Sequence, residues 1–126
     1  MNQERILYVE DEPDIQALAK LALEMVGDFQ VMVCSGGQEA LDKVGGFAPD
    51  LILLDVMMPG MDGPTTLQNL RANPATVTIP VIFLTAKVQP SEVAQYQALG
   101  ALNVIAKPFD PMLLAAQVRG ILECNS

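Results

Sequence analysis

The chain contains no histidine. That absence excludes Ser-His and Cys-His nucleophile pairs, histidine-ligated metals and any role as a phosphohistidine donor. Whatever chemistry the protein performs falls to carboxylates, hydroxyls and lysines. Basic residues are scarce too: seven Lys and Arg against fifteen Asp and Glu leave a net charge of −8. Nucleic acid selects a cationic surface, so direct binding of DNA or RNA by this chain is not expected. The two cysteines, Cys34 and Cys124, are widely spaced and form no CxxC pair. That usage suits a reducing cytoplasm and supplies neither a disulfide nor a zinc framework. Long apolar runs are also missing: stretches such as Val81–Leu84 fall far short of the roughly 20 residues of a membrane helix. The opening MNQERILYVED carries no cationic region followed by a long apolar one, so no secretion signal and no membrane partner are expected.

What is present is an alternation. Short apolar runs occur at Ile6–Val9, Phe29–Val33, Leu51–Leu54, Val81–Leu84 and Val104–Ala106. They are apolar on consecutive rather than alternate positions, which predicts strands covered on both faces. Helical patterns lie between them. After Pro13 a stripe of Ile15, Leu18, Ala19, Ala22, Met25 and Val26 predicts a helix ending at Gly27. Ser35 with Gln38 three residues on predicts a capping box for a helix reaching Gly45. A third helix is expected from about Pro64 to Ala72, and a fourth from about Ser91 to Leu99. The fourth has only the weak stripe Val93, Ala94, Gln97 and Ala98. In the fifth, Asp110 is the expected N-cap, with Pro111 at the first helical position and Leu114, Val118, Ile121 and Leu122 inward. Five βα units with short connections predict an α/β fold: a single doubly wound (βα)5 domain over 1–126, a five-stranded parallel sheet with helices on both faces.

In such sheets ligands bind beyond the carboxyl ends of the strands. The residues found there are Glu10-Asp11-Glu12 after the first strand, Asp55 after the third, Thr85 after the fourth and Lys107-Pro108 after the fifth. Each alone has an ordinary structural reading. An Asp after a strand caps a turn, acids favour a helix N-terminus, Thr is at home in strands and Lys is a surface residue. Their coincidence on one sheet edge is not explained that way. Three carboxylates about 5 Å apart at an effective dielectric near 20 repel by roughly 3 kcal/mol per pair. A divalent cation relieves this, and an all-oxygen donor set selects Mg2+. Lys107 then supplies a point charge for a phosphoryl group, Thr85 a hydrogen bond, and Asp55 an oxygen nucleophile.

VEDE after the first strand, LLDVMMPGMDG, FLTA and AKPF together resemble the receiver domain of two-component response regulators, whose fold is flavodoxin-like. The four motifs fall in order along essentially the whole chain. The resemblance implies that Asp55 accepts a phosphoryl group from a phosphohistidine on a sensor histidine kinase or histidine phosphotransfer protein. It further implies that Glu10, Asp11, Asp55 and the backbone carbonyl of Met57 hold Mg2+, and that Thr85 and Lys107 bind the phosphoryl oxygens. Ala86 and Pro108 flank these two, and the Lys107-Pro108 bond matches one that is cis in the family. Pro59, Gly60 and Gly63 match the turn that shapes the phosphorylation loop. Met57 and Lys87 match the variable positions beside the line of water attack. Phosphorylation is then expected to shift the fourth helix, fifth strand and fifth helix and alter binding of a downstream protein target. Two residues depart from the family pattern: the acidic pair is Glu-Asp rather than Asp-Asp, and Val104 stands where an aromatic ring is usual.

Two other readings use the same residues. A small Asp-nucleophile phosphatase would place its nucleophile after the first strand, whereas Asp55 follows the third. A phosphorylation-independent module that keeps only the fold is opposed by the complete set of acids, hydroxyl and lysine, while Val104 in place of the aromatic ring leaves room for it. An enzyme with turnover is therefore not expected.

Overall fold

Five runs with no polar face become five strands, because a strand apolar on both sides is stable only when helices cover both sides. The computed structural model describes residues 3–124, so the two residues at each end of the expected 1–126 unit lie outside the described residues. The elements are β1 (Arg5–Val9), α1 (Pro13–Met25), β2 (Gln30–Cys34), α2 (Gly37–Phe47), β3 (Leu51–Asp55), α3 (Gly63–Ala72), β4 (Val81–Thr85), α4 (Pro90–Ala98), β5 (Asn103–Ala106) and α5 (Leu114–Cys124). The strands form one parallel sheet in the order β2-β1-β3-β4-β5. Strand order reverses between β1 and β3, which are neighbours.

Each strand splits its side chains between two cores. Ile6, Tyr8, Leu51, Leu53, Ile82 and Leu84 meet Ala19 and Leu23 of α1 and Leu114, Ala115 and Val118 of α5. Leu7, Val9, Ile52, Leu54, Val81 and Phe83 meet Ala40, Val44 and Phe47 of α2 and Leu67 and Leu70 of α3. Burying one such side chain stabilises the fold by roughly 1.5–3 kcal/mol. Registers such as Leu54↔Phe83 and Asp55↔Leu84 bring the carboxyl ends of β3 and β4 level.

Several local expectations are corrected. In α1 the buried residues are Ala19, Ala22 and Leu23, while Leu18, Met25 and Val26 are exposed. The helix is apolar on more than one side, so spacing alone does not select the inner stripe. The N-cap of α2 is Gly36, not Ser35, and the carboxylate that reaches back belongs to Glu39, which accepts the Ser35 backbone N–H at 2.7 Å. That helix runs through Gly45 and Gly46 to Phe47 and is capped by Ala48, whose φ of 52° is left-handed. Asp110 accepts the Met112 N–H at 2.8 Å and shapes a turn, and regular α5 begins only at Leu114. In α4 no residue is fully buried. Its contact with the core comes through Tyr96, whose ring sits edge-on to Phe83 with centroids 5.1 Å apart. The C-terminal end of α4 is better held: Arg71 donates to the carbonyls of Gly100 at 2.9 Å and Ile79 at 2.8 Å.

Candidate functional site

Because β1, β3, β4 and β5 reach the same edge, the residues ending them become neighbours although they are far apart in sequence. Asp55 is the last residue of β3 and Thr85 the last of β4. Glu10 follows β1, where its backbone N–H bonds to the Cys34 carbonyl at 3.0 Å. Lys107 follows β5, tied by its N–H to the Thr85 carbonyl at 2.9 Å. The Lys107-Pro108 bond is cis, as the resemblance implied. Gly63 closes the loop after β3 by donating to the Val56 carbonyl at 2.9 Å. A Cβ there would lie 2.5 Å from the Asp55 carbonyl oxygen, so only glycine permits this approach. Gly60 supplies a left-handed turn with φ 76°.

Glu10, Asp11 and Asp55 each offer a carboxylate oxygen within 4.8 Å of the others. Lys107 Nζ lies 2.9 Å from Glu10 Oε1 and 3.2 Å from Asp55 Oδ2. Glu10 is 0% exposed and Asp55 4%, so one ammonium serves two buried carboxylates. Burial, and then the charge on Glu10, push the Asp55 carboxyl up to about 6, against the opposing pull of Lys107. Burial pushes Glu10 upward too, but hydrogen bonding and charge from Lys107 outweigh it and hold Glu10 below its usual range. The ammonium of Lys107 is destabilised by burial, yet its two acidic partners hold its pKa above the ordinary value. The negative charge here is under-compensated. A hard cation held by oxygens fits such a site, and the donor set matches the oxygen preference of Mg2+.

Thr85 is buried beside this group, but its Oγ1 accepts the Lys87 backbone N–H at 3.1 Å, which turns it toward its own loop. Ala86, Lys87 and Pro108 are exposed on the rim, and Val104 is half-buried against the α2–α3 core. Met57 projects outward, 76% exposed. Two residues that the sequence reading did not single out belong to the site. Tyr8 donates its hydroxyl to Glu10 Oε1 at 3.3 Å, and Gln16 Nε2 donates to the Glu10 carbonyl and to Ser35 Oγ. Burial, reinforced by the Glu10 charge, pushes the Tyr8 phenol well above the tyrosine range, which keeps it a donor. The signal for Tyr8 was its parity with Glu10 along β1; Gln16 had none.

An open parallel sheet with an acidic cluster and a lysine at its switch point defines the class: a doubly wound α/β domain with its polar site at the carboxyl ends of the strands. Residues 6–119 match the response regulator receiver domain family, and the chain belongs to it. The response regulator Rre1 of Synechocystis sp. is 38% identical over 93% of this chain and 51% of its own length. The DNA-binding response regulator MtrA of Mycolicibacterium smegmatis is 37% identical over 98% of this chain and 52% of its own. The chain thus spans about half the length of these curated relatives. Among solved structures, the chemotaxis response regulator CheY4 of Vibrio cholerae superposes with a TM-score of 0.88 at 28% identity, covering 95% of this chain and 99% of that one. A response regulator from Desulfuromonas acetoxidans gives 0.83 at 31% identity, covering 98% and 99%. The chain is a receiver domain of two-component signalling, and the phosphorylation-independent and phosphatase readings are not favoured. No described helix is long and apolar enough to cross a membrane.

Proposed function

We propose that Asp55 is the phosphoacceptor, served by Glu10, Asp11, Thr85 and Lys107. One observation carries the reading: a buried strand-end carboxylate pushed up to about 6 sits among two further acids and one shared ammonium. A carboxylate oxygen of Asp55 attacks the phosphorus of a phosphohistidine whose ring is protonated on its other nitrogen; an O–P bond forms, the P–N bond breaks with its electron pair passing to nitrogen, and the ring leaves as neutral imidazole. Glu10, Asp11, Asp55 and the Met57 carbonyl are the groups that would hold Mg2+, which when bound supplies charge neutralisation for the phosphoryl oxygens. Lys107 reaches both Glu10 and Asp55 and is placed to pair with a phosphoryl oxygen on Asp55. Thr85 leaves its bond to Lys87 to do the same, loosening the β4–α4 loop.

The donor is a sensor histidine kinase or a histidine phosphotransfer protein in the cytoplasm, and the output is a changed α4–β5–α5 face offered to a protein target. The whole of 1–126 works as one receiver unit, with no turnover beyond forming and losing its own acyl phosphate. MtrA is a DNA-binding response regulator; the net charge of −8 supports no nucleic-acid contact by this chain. The test is incubation with a small acyl phosphate, with intact-mass and peptide analysis. One phosphoryl group on Asp55, lost with EDTA and in Asp55→Asn, is expected. Modification elsewhere, or at full rate in excess EDTA, overturns the reading.

A further inference from the structure

We propose that Tyr8 is a positioning residue for this site: its hydroxyl holds Glu10 in the pose that lets a glutamate stand in the acidic pair. The proposal rests on the phosphoacceptor reading above and concerns a residue that reading does not use.

Tyr8 and Glu10 are two residues apart on an extended segment, so their side chains leave the same face of the sheet. Tyr8 is 0% exposed, within the core that α1 and α5 cover. A hydroxyl in that position needs an acceptor, and Glu10 Oε1 provides it at 3.3 Å. The same oxygen takes Lys107 Nζ at 2.9 Å, and the other, Oε2, takes the Glu12 backbone N–H at 3.3 Å. Both oxygens of Glu10 are therefore anchored before any cation arrives, as the partners of ligating carboxylates commonly arrange. An aspartate at position 10 would be shorter by one C–C bond, about 1.5 Å, which carries its oxygens out of reach of the phenol. Tyr8 would then hold an unpaired buried hydroxyl. Among the described residues no buried side-chain polar atom lacks a partner. Packing alone asks only for a ring, which phenylalanine supplies. The hydroxyl is explained by the longer acid, and the longer acid by the hydroxyl.

The experiment measures Mg2+ binding to the full chain by calorimetry for wild type, Tyr8→Phe, Glu10→Asp and the double variant. Tyr8→Phe is expected to weaken Mg2+ about threefold, below the roughly fivefold of an average hydrogen bond because 3.3 Å is long for an O–H···O contact. In the Glu10→Asp background the same change is expected to cost less than about twofold, because the pair is already broken. In phosphorylation by a small acyl phosphate, the Mg2+ requirement of Tyr8→Phe rises by the same factor while the rate at saturating Mg2+ stays near wild type. Unchanged Mg2+ affinity in Tyr8→Phe overturns the proposal, as does an equal loss in both backgrounds. If Tyr8→Phe does not fold, a folded Tyr8→Leu variant with wild-type affinity overturns it equally. Wild-type protein that binds no Mg2+ and accepts no phosphoryl group overturns the parent reading and this one with it. That result is distinct from an active wild type with an indifferent variant.

Discussion

Replacing Asp55 by Asn should make the metal-free protein more stable. Asp55 rises from the ordinary 3.8 to about 6, because burial and the neighbouring Glu10 oppose its charge. That difference, about 2 pH units at 1.36 kcal/mol each, amounts to about 3 kcal/mol. The folded state holds the Asp55 proton more tightly than the unfolded state. Its contribution to stability therefore falls as pH rises from about 4 to about 6, then stays level. Glu10, held below its usual range, runs the opposite way and offsets part of the change. Asn matches the shape of the protonated acid and can still accept from Lys107, now 3.2 Å from Asp55 Oδ2. A net gain of about 2 kcal/mol is expected at pH 8, which for a domain of this size raises Tm by roughly 6 °C. The assay is thermal unfolding of both proteins in EDTA across pH 4 to 8, where the gain should shrink toward zero at the acid end. Equal midpoints at pH 8, or a gain of the same size at both ends, refute the reasoning. Added Mg2+ should then narrow the difference by stabilising wild type more than the variant.

Three further outcomes are expected. Gly63→Ala places a Cβ 2.5 Å from the Asp55 carbonyl oxygen and 2.8 Å from Val56 Cα; denaturant titration should show a loss of about 1–3 kcal/mol, with slower phosphorylation. Met57, exposed beside Asp55, offers no useful donor or acceptor to a water, so Met57→Asn should hold one and hasten loss of the phosphoryl group about fivefold. Decay of the phosphorylated protein in Mg2+ buffer measures this, and an unchanged lifetime contradicts it. Hydrogen exchange with a beryllofluoride mimic should show altered protection from Lys87 to Lys107, because α4 meets the core mainly through Tyr96 on Phe83; Tyr96→Ala should raise exchange there without the mimic.

The sheet was legible because its strands carry no competing signal: Leu51–Leu54 and Val81–Leu84 are apolar on every position and buried on every position. The acids, threonine and lysine were legible because topology alone delivers strand ends to one edge. The helices were read less well, since choosing an inner face depends on where the sheet lies. Leu18, Leu23 and Met25 are equally apolar in the sequence, and only packing buries Leu23 and exposes the other two. Tyr8 was hidden for a related reason, as one aromatic among aliphatics reads as core until its hydroxyl is traced to Glu10. Thr85 was placed correctly, but its bond to the Lys87 N–H depends on a loop geometry that residue type does not specify.

The loose seating of α4 limits how quiet the domain can be. A helix that buries no residue fully loses little when it slides; Arg71 pins the neighbouring Gly100 carbonyl, and the Gln89 end is capped within the helix by Glu92. If the resting and shifted arrangements differ by about 1.4 kcal/mol, unmodified molecules already spend about a tenth of their time shifted. Carrying a population from 1:99 to 99:1 would require about 5.5 kcal/mol of preference from the modification, whereas a tenth-populated state needs considerably less. Ease of switching and background leakage are thus one property, governed chiefly by how the Tyr96 ring edge seats on Phe83. Under the proposed function and that energy gap, a protein target that reads this face would meet the shifted minority even before phosphorylation.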